Sequence, residues 1–114
     1  MRIGEAAAAA GTTPRALRFY EQRGLLPPPA RTAAGQRDYV PADVDRVRLI
    51  RAFLALGLTV EDLRECADRL HLLAEGAPRR CAPGGIVGRR VASLDAEITR
   101  LTRLRDTLAG LPPA

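Results

Sequence analysis

Three side chains of the 114-residue chain could ligate a soft metal or react as thiols: Cys66, His71 and Cys81. Soft metals favour thiolates, and zinc usually takes four N, S or O ligands, so one chain offers an incomplete set that a dimer would have to pool. Cys81 has the stronger case for thiol chemistry. Arg79 and Arg80 precede it and a helix is expected to begin just after it, two features that raise the thiolate fraction. A metal, redox or electrophile response is therefore open to Cys81 and Cys66, and inert cysteines are the alternative. Catalysis has less to work with: no nucleophile, base and orienting group recur together, no glycine loop suited to phosphate is present, and the single His stands alone. No enzyme and no cofactor are expected, a metal ion as signal being the one inorganic partner left open.

The most abundant chemical group is the guanidinium. All 18 basic residues are Arg, against 13 acids, and the net charge of +5 favours polyanionic partners, nucleic acid first and a membrane surface second. Residues 1–55 carry nine arginines and five acids, residues 56–75 two and five, and residues 76–114 seven and three, so two basic blocks flank an acidic one. With 46% hydrophobic and 27% charged residues the chain can bury a core, which excludes a disordered tail, and its length excludes a large multi-domain enzyme. Two cysteines are too few for a disulfide scaffold. The Ala6 to Ala10 run is too short for a signal core, and no apolar stretch approaches the roughly 18 residues that span a bilayer. A cytoplasmic protein that makes no membrane contact is the expectation.

These groups need a scaffold, and Gly and Pro divide the chain into short helical pieces and one long one. Gly4 to Ala10 is an alanine-rich helix ended by Gly11; the next takes Thr13 as N-cap and Pro14 as first residue and stops at Gly24. Two short helices across a glycine-containing turn make a helix-turn-helix pattern, with Leu17 and Phe19 expected in its core. Pro27-Pro28-Pro29 forbids helix, and Arg31-Thr32 and Arg37-Asp38-Tyr39 around Ala33-Ala34-Gly35-Gln36 read as a small hairpin with arginine on both arms. From Pro41 to about Leu56, Val44, Val47, Ile50 and Leu54 recur at helical spacing. Thr59 and Asp62 open a fourth helix, with Leu63, Cys66, Leu70 and Leu73 on one side, closed by Gly76-Ala77-Pro78. Arg23, Arg46, Arg64 and Arg69 are expected on solvated faces or in ion pairs. In the last piece Val87, Val91, Leu94, Ile98, Leu101 and Leu108 follow 4-3-4-3 spacing, broken only by Arg105, with Leu104 beside the seam. A lone helix would leave that stripe in water, and a helix from a second chain is the economical cover, so a homodimer is expected.

The strings Ile3-Gly4-Glu5, Gly11-Thr12-Thr13-Pro14-Arg15-Ala16-Leu17-Arg18-Phe19-Tyr20-Glu21, Gly24-Leu25-Leu26-Pro27 and Gly35-Gln36-Arg37-Asp38-Tyr39 resemble the DNA-binding domain of MerR-type transcription regulators. The agreement continues through Asp43-Val44, Arg46-Val47, Leu49-Ile50 and Leu56-Gly57-Leu58-Thr59. The resemblance implies a mainly α fold: a winged helix-turn-helix DNA-binding domain over residues 1–75, a linker over 76–84, and a dimerisation helix over 85–110 that forms an antiparallel coiled coil in a homodimer. It also implies double-stranded promoter DNA and RNA polymerase as partners, with the promoter distorted. Thr13, Arg15 and Ala16 lie at the end of the second helix that approaches base edges in the major groove. Family members use the positions of Arg18, Tyr20, Arg31, Arg37 and Tyr39 mainly for DNA backbone contact, with closure of the wing against the core as the lesser alternative for Tyr20 and Tyr39.

Two residues depart from the family pattern. Gln36 stands where the wing usually carries an aromatic that touches the DNA backbone, and Val40 where a capping Ser is usual, which should cost the third helix ~1 kcal/mol, partly offset by Pro41 and Asp43. The region around Cys81 resembles the dimerisation helix of the metal-sensing members, in which a Cys or Ser at the start contributes to the effector site. No Cys follows it here, and the four-cysteine set of the iron-sulfur sensors is missing. An architectural or excisionase-like DNA-bending protein without effector sensing is the alternative function.

Overall fold

The computed structural model of the chain describes residues 1–70 and 85–113. Two compact units follow one another, Met1–Arg79 and Arg80–Ala114. His71, Leu73 and Cys81, and with them the metal and thiol expectations for Cys81, lie outside the described residues.

In the first unit α1 (Ile3–Ala9) and α2 (Pro14–Gln22) form the helix-turn-helix. Alanine makes α1 both a good helix and a thin one: Ala6, Ala7 and Ala10 are buried, so α2 and α3 (Pro41–Ala55) can approach it closely. Thr13 starts α2 as expected, its Oγ1 accepting the Ala16 N–H at 3.2 Å, and Pro14 follows at the first helical position. Between the helices Gly11 turns the chain at φ +72°, a left-handed conformation in which a Cβ would also stand 2.9 Å from Arg51 Nη1. The same Nη1 donates to the Ala10 carbonyl at 2.8 Å, and Arg48 Nη2 donates to that of Ala9 at 2.7 Å. Two cations of α3 thus satisfy the last carbonyls of α1, where the helix dipole is negative.

The hairpin is short. β1 (Ala30–Arg31) and β2 (Arg37–Asp38) pair antiparallel, Ala30 opposite Asp38 and Arg31 opposite Arg37. Its turn is closed by Gly35 N–H to the Thr32 carbonyl at 2.8 Å and Thr32 N–H to that of Gln36 at 2.7 Å. At its exit the Tyr39 N–H donates to the Met1 carbonyl at 2.7 Å, tying the wing to the segment before α1. Helix α3 begins without a side-chain cap at Val40, but the Asp43 carboxylate accepts the Val40 N–H at 2.9 Å, so half of a capping box supplies the offset expected from the sequence. Helix α4 (Val60–Glu65) carries both halves of that box, between Thr59 and Asp62.

The fourth helix is shorter than its apolar spacing implies. It stops at Glu65, Cys66 leaves helical geometry at φ −125°, and a 3₁₀ turn follows over Ala67–Arg69. The break is met from α3. Arg46, expected on a solvated face, is half-buried, and its Nη2 donates to the Ala67 carbonyl at 2.6 Å while its Nε donates to the Leu25 carbonyl at 2.6 Å. Burial lowers the Arg46 pKa, and nearby Cys66 opposes that shift. The core around these bonds is Leu17, Tyr20, Leu25, Leu26, Tyr39, Val44, Val47, Ile50, Leu58, Leu63 and Leu70.

The second unit holds a helix, α5 (Ile86–Ala109), of 24 residues. At 1.5 Å per residue it is about 36 Å long. Val87, Val91, Leu94, Ile98, Leu101, Leu104 and Leu108 are all exposed along it, Ile98 at 61% and Leu108 at 69%. Charge flanks this stripe, as in the pair of Arg100 with Glu97 at 2.6 Å. Among the described residues no helix is long and apolar enough to cross a membrane.

The two ends of α1 give opposite expectations for glycine replacement. Gly11→Ala forces a left-handed Ala against Arg51 and should lower stability by about 1–2 kcal/mol. Gly4→Ala, inside α1 with nothing within 4 Å of the added Cβ, should raise it by roughly 0.5–1 kcal/mol. Urea unfolding midpoints of the two variants check both signs.

Candidate nucleic-acid interface

What an arginine can do for a ligand depends on whether the fold already uses it. In the first unit Arg46, Arg48 and Arg51 are held by backbone carbonyls, and Arg23 and Arg64 both pair with Glu61. Arg69 lies 3.9 Å from Asp68. Arg15 and Arg18 on α2 are exposed and have no hydrogen-bond or ion-pair partner among the described residues. A cation left in water with all five donors unused is one whose chemistry is directed outward.

Thr13 is exposed at the start of α2 and Ala16 half-buried behind it, so Thr13, Arg15 and the backbone of the first turn form the helix end that can enter a groove. Arg18 stands one turn further along the same helix. The wing follows in space because Arg37 Nε pairs with Glu21 Oε2 at 3.1 Å, across two partly buried side chains. That pair couples β2 to the last turn of α2. Arg31 folds back on its own turn, Nη1 donating to the Gly35 carbonyl at 2.9 Å. Gln36 is exposed beside it, its N–H donating to Thr32 Oγ1 at 3.3 Å.

The aromatic residues are arranged differently from the arginines. Tyr20 is buried and Tyr39 only 1% exposed, so of the two roles open to them from the sequence their placement matches closure of the wing against the core. Burial raises the Tyr39 phenol above its ordinary pKa and Glu21 adds to the shift, which keeps the ring neutral. Phe19, expected in the core with Leu17, is 42% exposed whereas Leu17 is 1% exposed. Residues two apart on a helix point about 200° apart, so one core cannot take both. Leu17 pairs with Tyr20 on the inner face, and Phe19 turns outward, where the Arg23 guanidinium covers its ring 5.8 Å from the centroid. Cys66 is half-buried at the end of α4, its Sγ 4.0 Å from the Asp62 carbonyl oxygen. No group of three or more metal-ligating side chains occurs among the described residues.

A helix-turn-helix with a wing, an outward basic face on its second helix and a long separate helix with an uncovered seam defines a DNA-binding regulator. The chain belongs to the MerR family of transcription regulators: it matches the MerR HTH family regulatory protein model over residues 1–70 and the MerR DNA-binding model over residues 44–111. It is 36% identical to the HTH-type transcriptional regulator HmrR of Rhizobium leguminosarum bv. viciae, over 97% of this chain and 83% of that one. It is 33% identical to the nodulation protein NolA of Bradyrhizobium sp., over 96% of this chain but only 42% of that longer protein. Among solved structures it is similar to the transcription regulator PbrR691 of Ralstonia metallidurans in complex with lead(II), with a TM-score of 0.68, 29% identity, and 96% and 83% of the two chains covered. HmrR and PbrR691 are transcription regulators, and these likenesses do not favour the purely architectural alternative.

The two unpaired arginines of α2 should separate in function. Arg18→Ala should weaken binding to every duplex and flatten the salt dependence by about one phosphate, whereas Arg15→Ala should change sequence preference. Affinities for an operator and its single-base variants, each at several salt concentrations, distinguish the two.

Proposed function

We propose that the protein acts as a homodimer joined through α5, in which two α2-and-wing surfaces hold a promoter operator and distort it for RNA polymerase. The observation that carries this is the coexistence of an unpaired basic face on α2 with an uncovered apolar seam on α5. Distorting a duplex costs roughly 1–6 kcal/mol, which contacts must offset, and only grips that keep their spacing can apply such a force. Buried rings and ion pairs make each grip stiff, and a coiled coil would set the distance between them. The residues for that coil are Val87, Val91, Leu94, Ile98, Leu101 and Leu108, on the 85–110 segment that follows the 76–84 linker and the 1–75 DNA-binding domain.

The input we assign is a thiol-reactive, redox or metal signal at Cys81, with Cys66 as a second thiol. The similarity to a regulator seen with lead(II) supports a soft-metal or thiol chemistry.

Leu94→Asp combined with Ile98→Asp should give a monomer in sedimentation and should abolish activation from a promoter whose spacer is overlong. With the spacer shortened to normal length, transcription in vitro should proceed equally with or without the wild-type protein. An operator on a normal promoter, at which the protein only lowers transcription, would make it a simple repressor. Cys81→Ser should remove the transcriptional response to an oxidant, thiol reagent or soft metal and leave basal DNA affinity intact. An unchanged response would make the cysteines inert.

A further inference from the structure

Between the start of α1 and the wing lies a concave surface of about 510 Å³ lined by Arg2, Ile3, Arg31, Gly35, Gln36 and Arg37. Three guanidiniums line it and no carboxylate does. The hairpin register sets Arg31 directly opposite Arg37, and like charges facing across a strand pair are unfavourable. Each of the two has a single internal acceptor, the Gly35 carbonyl for Arg31 and the Glu21 carboxylate for Arg37. A guanidinium has five N–H donors, so most of their capacity is unspent.

Among the described residues Arg2 has no internal acceptor. It is exposed, has no hydrogen-bond or ion-pair partner among them, and occupies the N-cap of α1 without capping it. Arginine is a poor choice there for the fold, because it satisfies no orphan N–H and sets a positive charge at the positive end of the helix dipole. Two unfavourable placements of charge, Arg2 on the helix end and Arg31 against Arg37, meet in one concavity. Both become favourable when an anion with several acceptor oxygens sits between them. A phosphate group has that form, and planar guanidinium forks match its oxygens.

We propose that Arg2, Arg31 and Arg37 clasp one phosphodiester of bound DNA, which makes Arg2 a backbone contact in addition to those on α2 and the wing. The assignment rests on the DNA-binding role given above. Glu21 places the clasp beside α2 through its pair with Arg37, so a duplex lying along the exposed start of α2 would run its backbone past the wing. Ile3, half-buried at the floor, offers an apolar surface to the adjoining sugar.

The test measures duplex affinity from low to high salt for the full chain and for Arg2→Ala, Arg2→Lys and, as a charge change outside the clasp, Arg64→Ala. Arg2→Ala should weaken binding roughly fivefold per protomer at 0.15 M salt, equally for all sequences, and should lower the salt slope by less than the roughly 0.9 of a whole phosphate, because Arg31 and Arg37 stay on it. Arg2→Lys should restore the affinity, and Arg64→Ala should leave affinity and slope unchanged. Urea midpoints no lower than wild type in both Arg2 variants confirm that the fold is intact. An Arg2→Ala variant that binds every duplex with wild-type affinity would overturn the clasp and leave the regulator assignment standing, whereas a wild-type protein without salt-dependent duplex binding would overturn both. Saturable binding of inorganic phosphate that Arg2→Ala abolishes, with DNA affinity untouched, would make the concavity a free-phosphate site and also overturn the clasp.

Discussion

Arg46 donates from the middle of α3 to the Leu25 carbonyl on one side and the Ala67 carbonyl on the other, and the first unit is organised around those two bonds. A guanidinium removed from water is stable only when acceptors replace the water, and a released carbonyl is stable only when it finds a donor. Arg46 meets both demands at once. It holds the chain as it leaves α2 toward the wing, and it accepts the break that shortens α4 into a 3₁₀ turn. Arg48 and Arg51 repeat the device two and five residues further along α3, at the end of α1. An arginine-rich, lysine-free composition thus has a structural use before it has a ligand: planar cations can bond backbone carbonyls that no helix ladder serves.

Much of this scaffold was legible in the sequence because its signals are local. Thr13-Pro14 fixes the start of α2, Gly11 the turn before it, and the valine and isoleucine spacing of α3 its buried face. The hairpin followed from arginine arms around a Gly-containing turn. Less was legible where a distant partner decides. Nothing near Glu65 announces that α4 stops there, and the donor that bonds the carbonyl beyond the break is some twenty residues upstream in α3. Phe19 could have been placed correctly from helical geometry alone, since Leu17 already occupied the inward direction.

The functional surface shows the same division. Arg15, Arg18, Arg31 and Arg37 were recognisable as a group from their motifs, but motif spacing does not reveal which of them the fold already employs. Only the structure separates Arg15 and Arg18, which have no internal acceptor, from Arg37, which is tied to Glu21. Arg2 was invisible as a contact because it stands outside every motif string, and its signal is a misfit: a cation where a helix wants an acceptor. The α5 seam was fully legible, since Val91, Leu94, Ile98 and Leu101 repeat at heptad spacing and nothing within the helix covers them.

The central claim is that arginines spent on carbonyls of neighbouring elements, as Arg46, Arg48 and Arg51 are, hold the fold, while the outward Arg15 and Arg18 hold DNA. The most direct measurement takes urea stability and duplex affinity on the same pair of variants, Arg46→Ala and Arg18→Ala. The account predicts that Arg46→Ala loses about 2–3 kcal/mol of stability, as for a buried charged hydrogen-bonding group. Once the folded fraction is accounted for, it should keep the wild-type salt slope, whereas Arg18→Ala should unfold at the wild-type midpoint with a shallower slope. A stable Arg46→Ala together with a destabilised Arg18→Ala of unchanged slope would contradict it.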